Sequence, residues 1–204
     1  MPSSNQELEV KFYLADPQPL MARLTGLGAS VLLSRIHETN LRFDTAAGEL
    51  ARTYQVLRLR QDTESRLTYK GPGSIQDGVR RRTELEFSVS DFKAAQALLE
   101  ALGYQVALMY EKYRTTYTYE NVLITLDEMP YGWFAEIEGP DGPSIQRTAG
   151  LLGLDWEARS LESYVFLFDR VRQALGLDIR DLSFANFKDV PVSPDLLGVR
   201  NALL

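Results

Sequence analysis

Cysteine is absent from this 204-residue chain, and histidine occurs once, as His37. Without thiols the chain cannot build a disulfide framework, a Cys-ligated zinc site, an iron–sulfur cluster or a cysteine nucleophile. A His-rich metal site is excluded as well, so a bound metal would be a hard cation held by oxygen atoms, such as Mg²⁺ or Mn²⁺. A catalytic triad could use only His37, which makes that chemistry a weak hypothesis.

Long apolar runs are missing too, since no segment approaches the roughly 20 residues of a membrane-spanning helix. The first residues lack the basic and apolar regions of a signal peptide. Together with the lack of cysteine, this favours a cytoplasmic protein without a membrane partner. The chain has 22 Lys and Arg against 28 Asp and Glu, a net charge of −6. Because phosphate contacts need a basic surface, we expect no long nucleic acid as partner.

A strand with Glu-x-Glu, a helix and a terminating glycine recur three times along the chain. The strands of the three copies contain Glu7–Phe12, Glu84–Phe87 and Glu136–Glu138, and the helices are predicted at about 16–27, 91–102 and 143–152. In each helix the apolar residues recur every three or four positions. A fourth helix is predicted at about 160–175 on the same pattern. The recurrence indicates one closed architecture rather than two unrelated domains.

The segments between these units read as β-strands because they are rich in Val, Leu, Thr, Tyr and Phe. With the first strand they make about eight: 35–44, 55–61, 66–70, 79–89, 104–119, 121–127 and 132–138. Short Gly- and Pro-containing connectors favour antiparallel hairpins. We therefore divide the chain into a main domain, residues 1–176, and an arm, 177–204. The arm is apolar in places, so we expect it to pack on the main domain or on a partner chain, which is compatible with a homodimer.

Charged residues alternate with apolar ones in nearly every predicted strand. Side chains two residues apart share a face of a strand, so Glu7, Glu9 and Lys11 lie opposite Leu8 and Val10. The same pattern holds for Arg58 and Arg60, for Arg80, Arg82, Glu84 and Glu86, for Lys112 and Arg114, and for Glu136 and Glu138. Any one of these pairs is explained by a solvated face of a half-buried strand.

The repetition favours a different placement of the charges. About four helices with apolar stripes need an apolar surface to cover. If that surface is the outside of a closed barrel, the charged face lies inside, where about eight strands leave room for one small ligand. Buried charges are costly without partners. Bases beside carboxylates therefore suggest a polyphosphate bound together with a divalent metal, provided that the barrel closes.

The motif Glu7-x-Glu9-x-Lys11 resembles the signature of the CYTH proteins, also called triphosphate tunnel metalloenzymes. That family includes class IV adenylate cyclases and thiamine, inorganic and RNA triphosphatases. Further matches follow in the family's order, within about residues 7–170: Asn40–Thr45, Leu57–Arg60, Thr68–Lys70, Arg82–Glu86, Lys112–Arg114, Asp127 and Glu136–Glu138. A single Glu-x-Glu-x-Lys motif is weak evidence, whereas the ordered set is specific.

The resemblance implies an α+β fold, a closed eight-stranded antiparallel β-barrel (a tunnel) with helices packed on the outside. It also implies a triphosphate substrate and Mg²⁺ or Mn²⁺ as cofactor. By the same resemblance, the phosphates would be held by Lys11, Arg58, Arg60, Lys70, Arg82, Lys112 and Arg114. The metal would be held by Glu7, Glu9, Asp127, Glu136 and Glu138, with Glu84 and Glu86 in support.

One position departs from the family pattern. Many hydrolytic members carry Tyr where Arg42 stands here, and that Tyr can pair with a Lys in water activation. The catalytic residue is therefore left unassigned, and Arg42 either adds positive charge at the tunnel mouth or is solvated. The His-Phe element that some class IV cyclases carry just before the Glu-x-Glu is also missing.

Three functions follow from these observations. The first is a metal-dependent phosphohydrolase that acts on inorganic triphosphate or on a nucleoside or thiamine triphosphate. The second is a class IV-type adenylate cyclase, which converts ATP to cyclic AMP and pyrophosphate. The third is a polyphosphate- or nucleotide-binding module without turnover. The segment Lys70–Ser74 has the glycines of a phosphate-binding loop, but it lacks the Gly-Lys-Ser/Thr ending and reads as a hairpin turn.

Overall fold

The computed structural model describes residues 5–204 and consists mainly of β-strands, in which side chains alternate between the two faces of the sheet. In chain order, its elements are β1 (Gln6–Leu14), α1 (Gln18–Gly26), β2 (Ser30–Thr45), α2 (Glu49–Arg52), β3 (Val56–Gln61), β4 (Ser65–Lys70), β5 (Ser74–Gln76), β6 (Val79–Val89), α3 (Phe92–Ala101), β7 (Tyr104–Tyr119), β8 (Val122–Met129), β9 (Gly132–Glu138), α4 (Gly142–Leu151), a 3₁₀ turn (Trp156–Ala158), β10 (Arg159–Ser160), α5 (Tyr164–Leu175), α6 (Phe184–Phe187) and α7 (Pro194–Leu197).

Eight of these strands close into an antiparallel barrel. The sheet order is β10-β1-β9-β8-β7-β2-β3-β4-β6-β5, and β1 pairs a second time, with β6. In that closing pair Glu7 lies opposite Arg82 and Glu9 opposite Arg80. The strands β5 and β10 lengthen the sheet outside the ring. The predicted fold, a closed eight-stranded barrel with helices outside, is confirmed.

Two element boundaries differ from the sequence prediction by more than two residues, each for a local reason. Strand β2 begins at Ser30 rather than at Arg35, and its pairing with β7 shifts register between Val31 and Leu33 and again between Leu33 and Ile36. These irregularities break the period-two pattern, which is why the sequence did not reveal the early start. Helix α5 begins after Ser160, at Tyr164, because Arg159–Ser160 pair with β1 as β10.

The helices cover the apolar outer face of the barrel, as the stripes predicted. Helices α1 and α4 pack on the outward residues of β1 and β9, in a cluster that includes Phe12, Leu24, Ile137 and Ile145. Helix α3 begins at an N-cap, Asp91, whose side chain accepts a hydrogen bond from a backbone amide in the first turn. Since the outer face is apolar and covered, the charged face lies inside the barrel.

The inward face changes from charged to aromatic toward one end of the barrel. Two residues beyond Lys11 and before Glu136, the inward positions are Tyr13 and Phe134, whose rings meet edge to face with centroids 5.5 Å apart. These rings belong to an apolar cluster with Leu167 and other residues of α5. Helix α5 therefore packs across this end of the barrel.

The C-terminal arm packs on the barrel beside α5. The backbone amide of Leu182 donates to the carbonyl of Met109, and the amide of Ala202 donates to the carbonyl of Tyr13. The side chain of Leu182 is fully buried. The boundary at residue 176 stays a prediction. Among the described residues, no helix has both the length and the apolar character that crossing a membrane requires.

Candidate functional site

The barrel encloses a cavity of about 480 Å³, lined by the inward side chains of its strands. The predicted site residues that line it are Lys11, Arg58, Arg60, Lys70, Arg82, Lys112, Arg114, Glu7, Glu9, Glu84, Glu86, Glu136 and Glu138. Asp127 is buried beside the cavity and does not line it. Arg80, which the alternation placed on the same face, instead donates to the carbonyl of Leu161. The structure thus brings together residues from β1, β3, β4, β6, β7 and β9.

The carboxylate of Glu7 is held by two bases. The ammonium of Lys70 donates to both of its oxygens at 2.8 Å, and Nε of Arg82 donates to Oε2 at 2.8 Å. Arg82 also reaches Oε1 of Glu9 at 2.9 Å. Burial opposes ionisation of Glu7, but Lys70 and Arg82 outweigh it and hold its pKa well below the ordinary value. The bases around Glu7 therefore keep its carboxylate ionised in this part of the cavity.

Lys11 and Glu136 form a second buried pair. The two side chains approach to 2.9 Å, and the Arg114 guanidinium also donates to Glu136. Burial disfavours the ammonium, yet Glu136 and then Glu9 outweigh it, so the pKa of Lys11 is raised. The charged form of Lys11 is therefore favoured by its place beside Glu136 and Glu9.

Asp127 has no exposed surface and accepts four hydrogen bonds. Arg114 binds it in a bidentate manner at 2.6 Å, Lys112 donates at 3.0 Å and the hydroxyl of Tyr164 donates at 2.9 Å. The ammonium groups of Lys11 and Lys112 also lie 5.1 and 5.4 Å from the centroid of the Tyr164 ring. Asp127 thus fixes two of the predicted phosphate-binding bases, and its role as a metal ligand stays a prediction.

Glu38 on β2 is a cavity residue that the sequence reasoning missed. It is 1% exposed and lies 3.7 Å from Arg60 and 3.6 Å from Lys112. Burial opposes its ionisation, but Lys112 and then Arg114 outweigh it and lower its pKa to about 2. The signal was available, because Glu38 and Arg42 share one face of the strand that the sequence composition had already predicted at 35–44.

Other missed polar residues come from strands β4, β7 and β8, from the turn after β3, and from α5 with its N-cap. Those that line the cavity are Asp62, Arg66, Tyr110, Thr116, Thr125, Ser163 and Tyr164. Asp62 and Arg66 pair with each other at 2.9 Å. The residues of α5 could not be found from strand alternation, since a helix delivers them.

Two charged residues of the cavity stand without an opposite partner. Among residues 5–204, no Lys or Arg nitrogen lies within 4.0 Å of the Glu138 carboxylate, which lies opposite Glu9 across β1 and β9. Although Glu138 is open to the cavity, loss of hydration inside the barrel, followed by Glu7 and Glu84, raises its pKa to about 7. Glu138 thus lies among other carboxylates, whose negative charges repel its own.

Arg42 is the second of these two charged residues and, unlike Glu138, it is a cation. The sequence left open whether Arg42 adds positive charge at the tunnel mouth or is solvated. Its side chain lines the cavity rather than the outer surface, which favours the first of these placements. Within residues 5–204, no carboxylate oxygen lies within 4.0 Å of its guanidinium, and Arg58 lies opposite it across β2 and β3. Burial, with Arg58 and Arg82, lowers the pKa of Arg42.

The carboxylates suit a divalent cation in donor type. No three Asp, Glu or His side chains of the described residues are gathered into a complete cation site, because most of the carboxylates pair with bases. Glu7, Glu9 and Glu138 nevertheless offer the oxygen ligands that Mg²⁺ and Mn²⁺ prefer. The crowding that raises the pKa of Glu138 is what a bound cation would relieve.

The CYTH domain profile matches residues 5–146, about 70% of the chain. The chain belongs to the CYTH family. CYTH proteins form a family of metal-dependent, triphosphate-binding tunnel enzymes. The residues that line the cavity up to Glu138 lie inside the matched segment, whereas Tyr164 lies beyond it. A comparison with curated proteins gives no match.

Solved structures share the CYTH barrel. A Vibrio parahaemolyticus protein, described as a candidate adenylate cyclase, is 21% identical with a TM-score of 0.72, covering 80% of this chain and 97% of its own. The PH1012 protein of Pyrococcus horikoshii is 26% identical with a TM-score of 0.65, covering 78% and 98%. A Hippeastrum protein, described as an adenylyl cyclase candidate with a dominant triphosphatase activity, is 21% identical with a TM-score of 0.62, covering 80% and 95%.

Proposed function

We propose that this CYTH protein is a divalent-metal-dependent phosphohydrolase, acting on inorganic triphosphate or on a nucleoside or thiamine triphosphate. The observation that carries the proposal is the barrel cavity of about 480 Å³, in which bases and carboxylates line one enclosed space. Its size lies within the usual range for small-molecule sites. A triphosphate is small, highly charged and metal-binding, so it matches both halves of this lining.

The bases would bind and orient the phosphate groups. Lys70, Arg82 and Arg114 point into the cavity from three different strands, and each is paired with a carboxylate. When a phosphate enters, its oxygens can take over part of these contacts as charge-assisted hydrogen bonds. Bases fixed in advance favour the transition state, where negative charge builds up on the transferred group and on the leaving group.

The carboxylates of Glu7, Glu9, Glu136 and Glu138 are the proposed ligands of Mg²⁺ or Mn²⁺, with Glu84 and Glu86 in support. When bound, such an ion supplies positive charge that offsets the charge of the phosphate oxygens. In this proposal Asp127 acts from behind the cavity wall. Its four hydrogen bonds hold Lys112 and Arg114 in place for the phosphates.

Product analysis tests the proposed reaction. The protein is incubated with tripolyphosphate, ATP and thiamine triphosphate under Mg²⁺ and under Mn²⁺, and orthophosphate, pyrophosphate and cyclic AMP are separated. We expect metal-dependent release of orthophosphate, which a Lys70→Gln variant loses. Cyclic AMP as the main product from ATP would contradict the hydrolase and support a cyclase. Stabilisation by these ligands without turnover would contradict an enzyme and support a binding module.

A further inference from the structure

Unsatisfied polar atoms are concentrated on one wall of the cavity. Among residues 5–204, five buried side-chain atoms have no hydrogen-bond partner: Oε2 of Glu38, both amide atoms of Asn40, Nε of Arg58 and Nε of Arg60. All five belong to inward residues of the neighbouring strands β2 and β3. Buried polar atoms are nearly always paired in native proteins, so a cluster of unpaired ones indicates a missing partner.

Asn40 is the centre of this cluster. It has no exposed surface, and it lies opposite Arg60 on β3 and opposite Tyr110 on β7. Its amide could bind either to an ordered water or to a ligand. Arg42, the unpaired cation of the cavity, follows two residues later on the same face.

Tyr110 adds another free donor to this wall. Its hydroxyl accepts a hydrogen bond from Arg58 at 3.4 Å, and no acceptor for its own proton occurs among the described residues. The free donors are then the Arg42 guanidinium, the Asn40 amide nitrogen, the Tyr110 hydroxyl and Nε of Arg58, whereas Nε of Arg60 lies 3.5 Å from the Asp62 carboxylate. Because donors and positive charge prevail, the missing partner is an anion with several acceptor oxygens.

This wall lies across the barrel from the proposed metal ligands. In the closed ring of eight strands, β3 is four strands away from β9 in either direction. We infer that Asn40, Arg42 and Tyr110 form an additional phosphate subsite on the β2–β3–β7 wall, in which Arg42 is the principal anion-binding residue. The inference rests on the proposed binding of a triphosphate, and it adds three residues to those that the sequence assigned.

Arg42 differs from the other cavity bases in what binding costs. Lys70, Arg82 and Arg114 must loosen a carboxylate contact to bind a phosphate, whereas Arg42 has no such contact to lose. Phosphate binding by Arg42 therefore gains affinity without the loss of an existing ion pair, unlike binding by the other three bases. A hydrogen bond to a charged group corresponds to about a ten- to hundredfold change in affinity.

The test is calorimetric titration of tripolyphosphate in Mn²⁺, with four proteins: wild type, Arg42→Gln, Tyr110→Phe and Arg81→Gln. Arg81 is the matched control, since it is exposed on the outer face of β6 and pairs with Gln6 and Gln76. We expect Arg42→Gln to bind about ten- to a hundredfold more weakly than wild type, and Tyr110→Phe about three- to tenfold more weakly. Arg81→Gln should stay within about twofold of wild type.

The proposed subsite and the proposed function are contradicted by different results. If wild type binds tripolyphosphate while Arg42→Gln and Tyr110→Phe bind as Arg81→Gln does, the subsite is wrong and the proposed function stands. If wild type does not bind tripolyphosphate in Mn²⁺, nor in a repeat titration in Mg²⁺, the proposed function fails and the subsite fails with it. Should Arg42→Gln not fold, Tyr110→Phe decides, and an affinity equal to that of Arg81→Gln overturns the subsite.

Discussion

Two regions of the barrel interior treat charge in opposite ways. Around Asp127 each charged group has several partners, and the carboxylate accepts four hydrogen bonds. At Glu138 and Arg42, on other strands of the same interior, a charged group stands beside charges of its own sign. The first region is complete without a ligand, whereas the second is not. We propose from this difference that the fully paired buried charges hold the wall together and that the unpaired ones bind ligands.

The largest expected effect follows from breaking the paired region. Asp127→Asn should cost about 3 kcal/mol of unfolding free energy, because Lys112 and Arg114 lose a buried anionic partner. Urea unfolding measures the loss. Glu128→Gln is the control, since Glu128 pairs with the half-exposed Arg35 and should cost at most about 1 kcal/mol. Equal losses in the two variants would contradict the distinction.

The next effect concerns two proposed metal ligands on β9, the paired Glu136 and the unpaired Glu138. Glu136→Gln and Glu138→Gln should each raise the Mn²⁺ concentration for half-maximal activity by about tenfold, because each removes an anionic ligand. The measurement is phosphate release against Mn²⁺ concentration. Glu157→Gln, at an exposed position outside the cavity, should leave the curve in place. Unchanged titrations in both cavity variants would remove these residues from the proposed metal site.

A stability measurement sharpens the comparison without any ligand. The pKa of Glu138 is raised from 4.5 to about 7, so the stability linked to its protonated form is lost as pH rises through that interval. In metal-free protein, Glu138→Gln should therefore raise the melting temperature at pH 8 and change it little at pH 5. A variant less stable than wild type at pH 8 would show that the Glu138 carboxylate is compensated after all.

Glu38 should show the opposite pH dependence. Its pKa is lowered from 4.5 to about 2, so its stabilising effect is complete above pH 4.5 and is lost as pH falls toward 2. Replacing Glu38 by Gln should make the melting temperature depend less steeply on pH in this interval. A wild-type curve and a Glu38→Gln curve that fall in parallel would contradict this.

The smallest effect separates Tyr164 from an equivalent buried phenol. Tyr164→Phe and Tyr131→Phe each remove one hydrogen bond near α5, so each should cost about 1 kcal/mol of unfolding free energy. Only Tyr164 contacts Asp127, so only Tyr164→Phe should also weaken tripolyphosphate binding, by about threefold. If both variants bind alike, the hydroxyl of Tyr164 serves the packing alone.

The barrel could be predicted from the sequence because charged residues alternate with apolar ones along its strands. In β1 and β9 the pattern is uninterrupted, and the charged inward residues were predicted one by one, whereas the inward Tyr13 and Phe134 were not. In β2 the neighbours of Glu38, His37 and Thr39, are polar as well, so no alternation of charged and apolar residues marked Glu38 as inward. Regular period-two segments therefore predict burial, whereas irregular ones hide it.

Pairing within the cavity could not be predicted, because it depends on contacts between distant parts of the chain. The four hydrogen bonds of Asp127 join β7, β8 and α5, and Tyr164 lies 37 positions away from Asp127 in sequence. Alternation places a charge inside the barrel but does not say which partner it finds. That Glu138 and Arg42 have none became visible only in three dimensions.

The most direct test of the account is the affinity for tripolyphosphate measured across a Mn²⁺ series, for wild type, Glu138→Gln and Arg42→Gln. The account predicts that Glu138→Gln needs more Mn²⁺ to reach full affinity, because the cation side is weakened. Arg42→Gln should keep the wild-type Mn²⁺ dependence and bind more weakly at every Mn²⁺ concentration. Two variants with the same altered curve, or with the wild-type curve, would contradict the separate roles proposed for Glu138 in metal binding and for Arg42 in phosphate binding.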